Sequence, residues 1–426
     1  MKVRNSGRSL IAAVSAAAAL VAAAPAAQAA PAGWEVAALK AQQAQALSQK
    51  QGEGITVAVI DTGVDDRHPD LQGKVTHGKD FARGGVERGD PRWGIHGTAM
   101  AFNVLKVAPK ARILAIRGIL EDEDPARKAK GKKIGGGIVP SIHHAVNQGA
   151  DVISLSLGGD GTLDMGQIRS VERATGYAIS KGVAVVASAG NDGRAADTNA
   201  PSFPAGIAGA IAIAATRPDG GRAEFSTVRS YVDVAAPGVG IKSAKPGGGY
   251  NIGQGTSQAG ALAAGVVALM KSRNPGITPG EVRKILRETA TGSSGWNPKV
   301  GYGQIDAAAA VRAAANPPET LKAPVPYEGE SHLGKPAGIE RTQPLPVETS
   351  LIVTAAVAAL IGLALLGGGI ALARRRRPAP VPAPPMGGAF PMGGAPPMGG
   401  GPPMSGAPPM GGGPPMGGAP PMGGPR

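Results

Sequence analysis

The chain has 426 residues, no cysteine and only 3% aromatic residues. That excludes disulfides and thiolate metal sites and calls for a core of Ala, Val, Ile and Leu. The formal charge of +14 would suit a nucleic-acid partner, but Lys2, Arg4, Arg8, the four arginines of 374–377 and Arg426 carry eight of those charges. The body keeps +6 and has no basic-aromatic stripe, which argues against nucleic acid.

In chain order, residues 1–29 read as a secretory signal. Lys2, Arg4 and Arg8 form its charged start, residues 10–24 its apolar stretch, and Ala27-Gln28-Ala29 a small-x-small cleavage site. An uncleaved anchor is the alternative, against which stands the short, alanine-rich apolar stretch. In either case the domain that follows leaves the cytoplasm. Trp34, Val36, Leu39, Ala46 and Leu47 then suggest an amphipathic helix over 34–50.

Residues 55–60 form a continuous run rich in β-branched residues, the pattern of a buried parallel strand, ending at Asp61-Thr62-Gly63. Alternating signals continue. Helices are expected over 98–104, 141–148, 168–181, 259–271 and 279–288, and strands over 111–119, 151–157, 183–187, 207–215 and 231–235. This alternation predicts an α/β fold, a doubly wound and mostly parallel sheet with helices on both faces. The lysine-rich stretch 127–133 reads as a solvated loop.

Beyond Asn316 the texture turns to Pro, Glu and Lys without period, a linker over 316–350. Residues 351–373 carry no charge and are long enough to cross a bilayer as one transmembrane helix. The arginines of 374–377 place the following side in the cytoplasm. From 378 methionine recurs every six residues between Met386 and Met422, mostly in Pro-Pro-Met-Gly-Gly units. Such a tail cannot bury a core and is expected to be disordered. It would serve equally as a partner-binding segment or a solubilising tether.

Four polar positions fall at element ends. Asp61 follows the first strand, where open α/β sheets place their sites, although a turn-forming Asp beside glycine has the same pattern. His96, in His96-Gly97-Thr98-Ala99, opens a helix. Asn191 follows a strand in Ala189-Gly190-Asn191-Asp192-Gly193. Ser257, in Gly255-Thr256-Ser257-Gln258-Ala259, sits at a loop-to-helix junction, where serine more often caps than attacks. Together they supply what acyl transfer needs. Ser257 offers the hydroxyl, His96 the base, Asp61 the carboxylate that holds its tautomer, and Asn191 an amide for the oxyanion.

These motifs resemble those of the subtilisin-like serine proteases over residues 34–315. Asp61 stands in Val-Ile-Asp-Thr-Gly-Val-Asp, His96 in His-Gly-Thr, Ser257 in Gly-Thr-Ser-x-Ala and Asn191 in Ala-Gly-Asn-Asp-Gly. The resemblance implies a peptidase domain over 30–315 with Asp61, His96 and Ser257 catalytic and Asn191 in the oxyanion hole. It also implies a substrate-binding strand at Ser156, Leu157 and Gly158, which would pair with peptide backbone. Val232-Asp233-Val234-Ala235-Ala236-Pro237-Gly238 is a further family landmark. No organic cofactor or catalytic metal is implied. Structural calcium is frequent in the family, yet Asp65, Asp66 and Asp70 suit a solvated loop equally well.

A leader, no long propeptide, a polar linker and one C-terminal membrane helix make the chain similar to the mycosins, the membrane-anchored proteases of type VII secretion. Three departures stand out: Ile95 where a glycine is usual, a shortened segment between Ala101 and Ala108-Pro109, and Ala261 where a proline is usual. The resulting expectation is a membrane-anchored extracytoplasmic endopeptidase acting on protein or peptide, associated with a type VII secretion complex. A structural component stabilising such a complex and a general cell-surface protease are the alternatives.

Overall fold

The structure is a computed structural model that describes residues 33–130, 136–158, 165–194, 199–317 and 349–375. The expected signal segment, most of the linker and the tail past Arg375 lie outside the described residues. The chain divides into two units, 1–348 and 349–426.

Two short helices, α1 (Trp34–Ala38) and α2 (Ala41–Ser48), replace the single helix expected over 34–50. The break falls at Lys40, whose φ of 54 cannot continue a right-handed helix. Next come β1 (Thr56–Asp61), β2 (Val75–Asp80), α3 (Ile95–Val107) and β3 (Arg112–Arg117). The chain continues through α4 (Pro125–Lys130), α5 (Ile138–Asn147), β4 (Val152–Leu155), α6 (Met165–Ser180), β5 (Ala184–Ser188), β6 (Ile211–Thr216) and β7 (Val234–Pro237). A hairpin, β8 (Ile241–Ala244) and β9 (Tyr250–Gly253), leads into α7 (Thr256–Arg273), α8 (Pro279–Glu288) and α9 (Ala307–Ala314).

Seven strands form one sheet in the order β2-β3-β1-β4-β5-β6-β7, with every pairing parallel. β1 is central and buried because Val57, Ala58, Val59 and Ile60 are apolar on both faces. One core layer joins α2, α3, α7 and α9 to the sheet, and the other joins α5 and α6. From β1 the chain runs to edge strand β2, returns to β3 between the two, and then crosses to β4 on the other side of β1. The topological switch point therefore lies between β1 and β4, where such sheets open a crevice beyond their carboxyl ends.

Helix α7 is buried on all sides, and its small residues let neighbours approach closely. A Cβ on Gly265 would lie 2.7 Å from the Val104 carbonyl of α3. Helix α8 opens with a capping box in which Thr278 and Glu281 bond each other's backbone amides.

Three further features depart from the sequence reading. Edge strand β2 carries no apolar run and is largely exposed, so it left no periodic signal. The β8–β9 hairpin turns through Gly247, Gly248 and Gly249, all at positive φ. The lysine-rich segment expected as loop is helical in α4 up to Lys130, its start capped by Asp124 Oδ1, which accepts the Ala126 N–H at 2.8 Å.

In the second unit, α10 (Thr349–Arg375) covers the expected transmembrane segment and runs two residues beyond it at each end. Residues 354–371 have a mean hydropathy of 2.0, long and apolar enough to cross a membrane.

Candidate active site

Asp61 is the last residue of β1 and is buried. Its Oδ1 accepts the Thr62 N–H and the His96 Nδ1–H, each at 2.8 Å. Its Oδ2 is buried with no hydrogen-bond partner. His96 is the second residue of α3, and about a third of its ring remains exposed (33%). The close fit of α3 over Asp61 depends on Gly97, where a Cβ would fall 2.0 Å from the Gly63 carbonyl oxygen and 3.1 Å from Asp61 Cβ.

Burial pushes the His96 imidazolium down, but the charge of Asp61 and its hydrogen bond push harder the other way. With Glu121 and Asp122 adding to them, His96 is driven up to about 9. Water at the exposed third of the ring weakens that field without reversing its direction.

Ser257 is the second residue of α7. The chain reaches it through Gly255, whose φ of 154 favours glycine and whose N–H is tied to Gly238 O at 2.8 Å. The Ser257 hydroxyl donates to the Ser156 carbonyl at 3.0 Å, and the Ser156 hydroxyl donates to the Ser257 carbonyl at 3.0 Å. No hydrogen bond joins Ser257 to His96; Asp61 and His96 are already coupled, while the hydroxyl rests on Ser156.

Asn191, exposed just beyond β5, is held by Thr256: Asn191 Oδ1 accepts the Thr256 N–H at 3.0 Å and its hydroxyl at 2.9 Å. With its oxygen so engaged, the amide presents Nδ2 as its open donor, beside the residue that precedes Ser257. Ser156 and Leu157 are buried just past the end of β4, and Gly158 is exposed. A Cβ on Gly158 would meet Ser202 Oγ at 2.0 Å, so a side chain there would have to displace the Ser202 hydroxyl.

Asp65, Asp66 and Asp70 are engaged elsewhere. Asp65 pairs with Arg67 and accepts the Gly247 N–H, Asp66 pairs with Arg88 and His77, and Asp70 accepts the Tyr250 hydroxyl. Among the described residues no group of three or more His, Asp or Glu is arranged to hold a metal ion.

One residue of the site escaped the sequence reading. Glu121 is buried in the loop after β3 and its Oε1 accepts the His96 N–H at 2.8 Å. The signal was present. Asp61 ends one central strand and Glu121 follows shortly after the end of the neighbouring one, but within an acidic run that reads as solvated.

The subtilase family model matches residues 52–303, a span holding all of these groups. Thermitase from Thermoactinomyces vulgaris is 37% identical over 281 residues, covering 64% of this chain and 94% of its own. Among solved structures, fervidolysin from Fervidobacterium pennivorans, a keratinolytic enzyme related to subtilisin, is similar at 31% identity and a TM-score of 0.57. The match covers 66% of this chain and 45% of fervidolysin. MycP1 from Mycobacterium smegmatis is similar at 26% identity and a TM-score of 0.56, over 68% of this chain and 86% of its own. MycP3, a protease from the type VII (ESX-3) secretion system, is similar at 26% identity and a TM-score of 0.53, over 67% and 90%. A family match over more than half the chain, on a seven-stranded parallel sheet with Asp61 bonded to His96, leads to one conclusion: the chain belongs to the subtilase family, the serine endopeptidases of the subtilisin type.

Proposed function

We propose that the chain is a membrane-anchored, extracytoplasmic endopeptidase working through Asp61, His96 and Ser257. The observation that carries this reading is the 2.8 Å bond from His96 Nδ1 to buried Asp61, at the switch point that Ser257 also borders through Ser156. Asp61 holds His96 in the Nδ1–H tautomer, leaving Nε2 free to accept a proton. The Ser257 hydroxyl leaves the Ser156 carbonyl, gives its proton to Nε2 and attacks the scissile carbonyl. The negative charge that develops is met by Asn191 Nδ2 and the Ser257 N–H at the start of α7. His96 then protonates the leaving amine, and water cleaves the acyl-enzyme by the same steps in reverse. Ser156, Leu157 and Gly158, beyond the end of β4, take the substrate backbone as an added strand.

The anchor is α10, with the leader 1–29 sending the domain out and the arginines of 374–377 holding the tail inside. Structural likeness to MycP1 and MycP3 supports association with a type VII secretion complex. A second reading is a general cell-surface protease, since the subtilase match over 52–303 carries the peptidase chemistry without any secretion feature. A fluorophosphonate probe tests the chemistry: wild type is labelled and Ser257→Ala is not, whereas folded wild type that stays unlabelled rules the triad out. Capture of secretion components by full-length Ser257→Ala in its own membrane separates the two settings.

A further inference from the structure

Helix α3 starts without a capping side chain. Its N-cap is Gly94, at φ 64, so the first free amides of the helix need acceptors from elsewhere. Two neighbours supply them: Glu121 Oε1 takes the His96 N–H at 2.8 Å, and Thr62 Oγ1 takes the Gly97 N–H at 3.1 Å. The Thr62 side chain also hydrogen-bonds Glu121. Glu121 is only 7% exposed, an expensive place for a carboxylate unless it is well bonded.

We propose that Glu121 is a second carboxylate of the catalytic centre, a positioning residue that sets where His96 stands and, by its charge, the pH above which His96 acts as a base. This rests on the triad reading above. Asp61 holds His96 by its ring and Glu121 holds it by its backbone, so two acids bracket one residue from β1 and from the loop after β3. Those acting on the imidazole are Asp61, Glu121 and, more weakly, the exposed Asp122. Glu121 in turn faces Thr62, the His96 N–H and Asp61. Arg117, at the end of β3, offers no compensation because Asp80 and Asp124 occupy it. Burial pushes Glu121 above the usual carboxylate range, with the charge of Asp61 adding to it, and the bonds from Thr62 and His96 pull it back.

Simple capping needs only an acceptor, which an amide supplies equally well. Glu121→Gln therefore keeps the cap and removes the charge, and Glu121→Asp keeps the charge and shortens the reach. The test uses full-length protein in detergent micelles, with the His96 imidazole titrated by NMR on ¹⁵N-histidine-labelled samples. It adds the pH profile of kcat/KM on an internally quenched peptide. In Glu121→Gln, His96 titrates roughly one pH unit lower than in wild type, and the acid limb of kcat/KM moves with it. In Glu121→Asp the His96 titration stays near wild type while the alkaline plateau of kcat falls. An unmoved His96 titration in Glu121→Gln overturns the proposal. Should that variant not fold, a titration that drops in Glu121→Asp, where the charge is kept, overturns it equally. If wild type takes no fluorophosphonate label yet His96 still shifts in Glu121→Gln, the triad reading fails while the hold of Glu121 on His96 stands.

Discussion

Ser156 and Ser257 hold each other by two reciprocal hydrogen bonds, each hydroxyl donating to the other's carbonyl at 3.0 Å. The end of β4 is thus stitched to the start of α7. The strand proposed to bind substrate and the proposed nucleophile cannot drift apart independently.

Ser156→Ala tests that stitch. It keeps the backbone available to a substrate strand and removes one buried hydrogen bond, a loss of about 1 kcal/mol. If the bond aligns Ser257 in the transition state, kcat/KM on a peptide falls roughly tenfold with little change in melting temperature. Wild-type kcat/KM in a folded variant would show that the alignment comes from the helix alone.

The pH profile follows from His96. A proton acceptor works only when neutral, so activity rises as pH passes the His96 titration, which Asp61 and Glu121 hold above the ordinary imidazole value. The stability sign is the opposite. The native state holds the imidazolium more tightly than the unfolded chain does, so this contribution is complete below 6.5 and disappears as pH climbs through about 9. Activity should increase from neutral into the alkaline range while thermal stability from this residue declines. A kcat/KM midpoint below 6.5 is incompatible with the Asp61 and Glu121 fields described here.

Asn191→Ala removes the side-chain donor for the oxyanion. The expected loss is about 10²–10³ in kcat with KM changed far less, since the donor meets charge only in the transition state. Because Asn191 also accepts both Thr256 donors, a modest destabilisation accompanies it. Equal effects on KM and kcat would assign Asn191 to substrate binding or to the loop instead.

Gly97→Ala probes the approach of α3 to β1. The new Cβ would meet the Gly63 carbonyl at 2.0 Å, so helix or loop must move. Overpacking of this kind costs about 1–3 kcal/mol and displaces His96 from Asp61. Lower melting temperature and lost activity should appear together, and retention of either would mean that the turn yields freely.

Far from the site, buried Asp233 tests the fold alone. It accepts from Arg283 and Arg287 of α8 and from the Ala212 N–H of β6. Asp233→Ala strands a backbone amide and two guanidinium groups, at a cost of about 3 kcal/mol by chemical denaturation. Active-site labelling of the remaining folded molecules should match wild type.

The sequence by itself determined the architecture and the four groups at element ends. Central parallel strands must be apolar on both faces, as in Val57 to Ile60, and that signal is local. The apolar stretch of α10 was legible for the same reason, since its signal runs over consecutive residues. Strand β2 and the β8–β9 hairpin were not, because their stability comes from β3 and from α3 rather than from their own residues. Only the tertiary structure decided how the site is held. That Glu121 belongs to His96, and Ser156 to Ser257, depends on contacts between positions 25 and 101 residues apart. No periodicity records that Glu121 and Asp124 are buried among four neighbouring acids, or that Glu121 is the one to meet His96; the packing of α3 against the loop after β3 decides that.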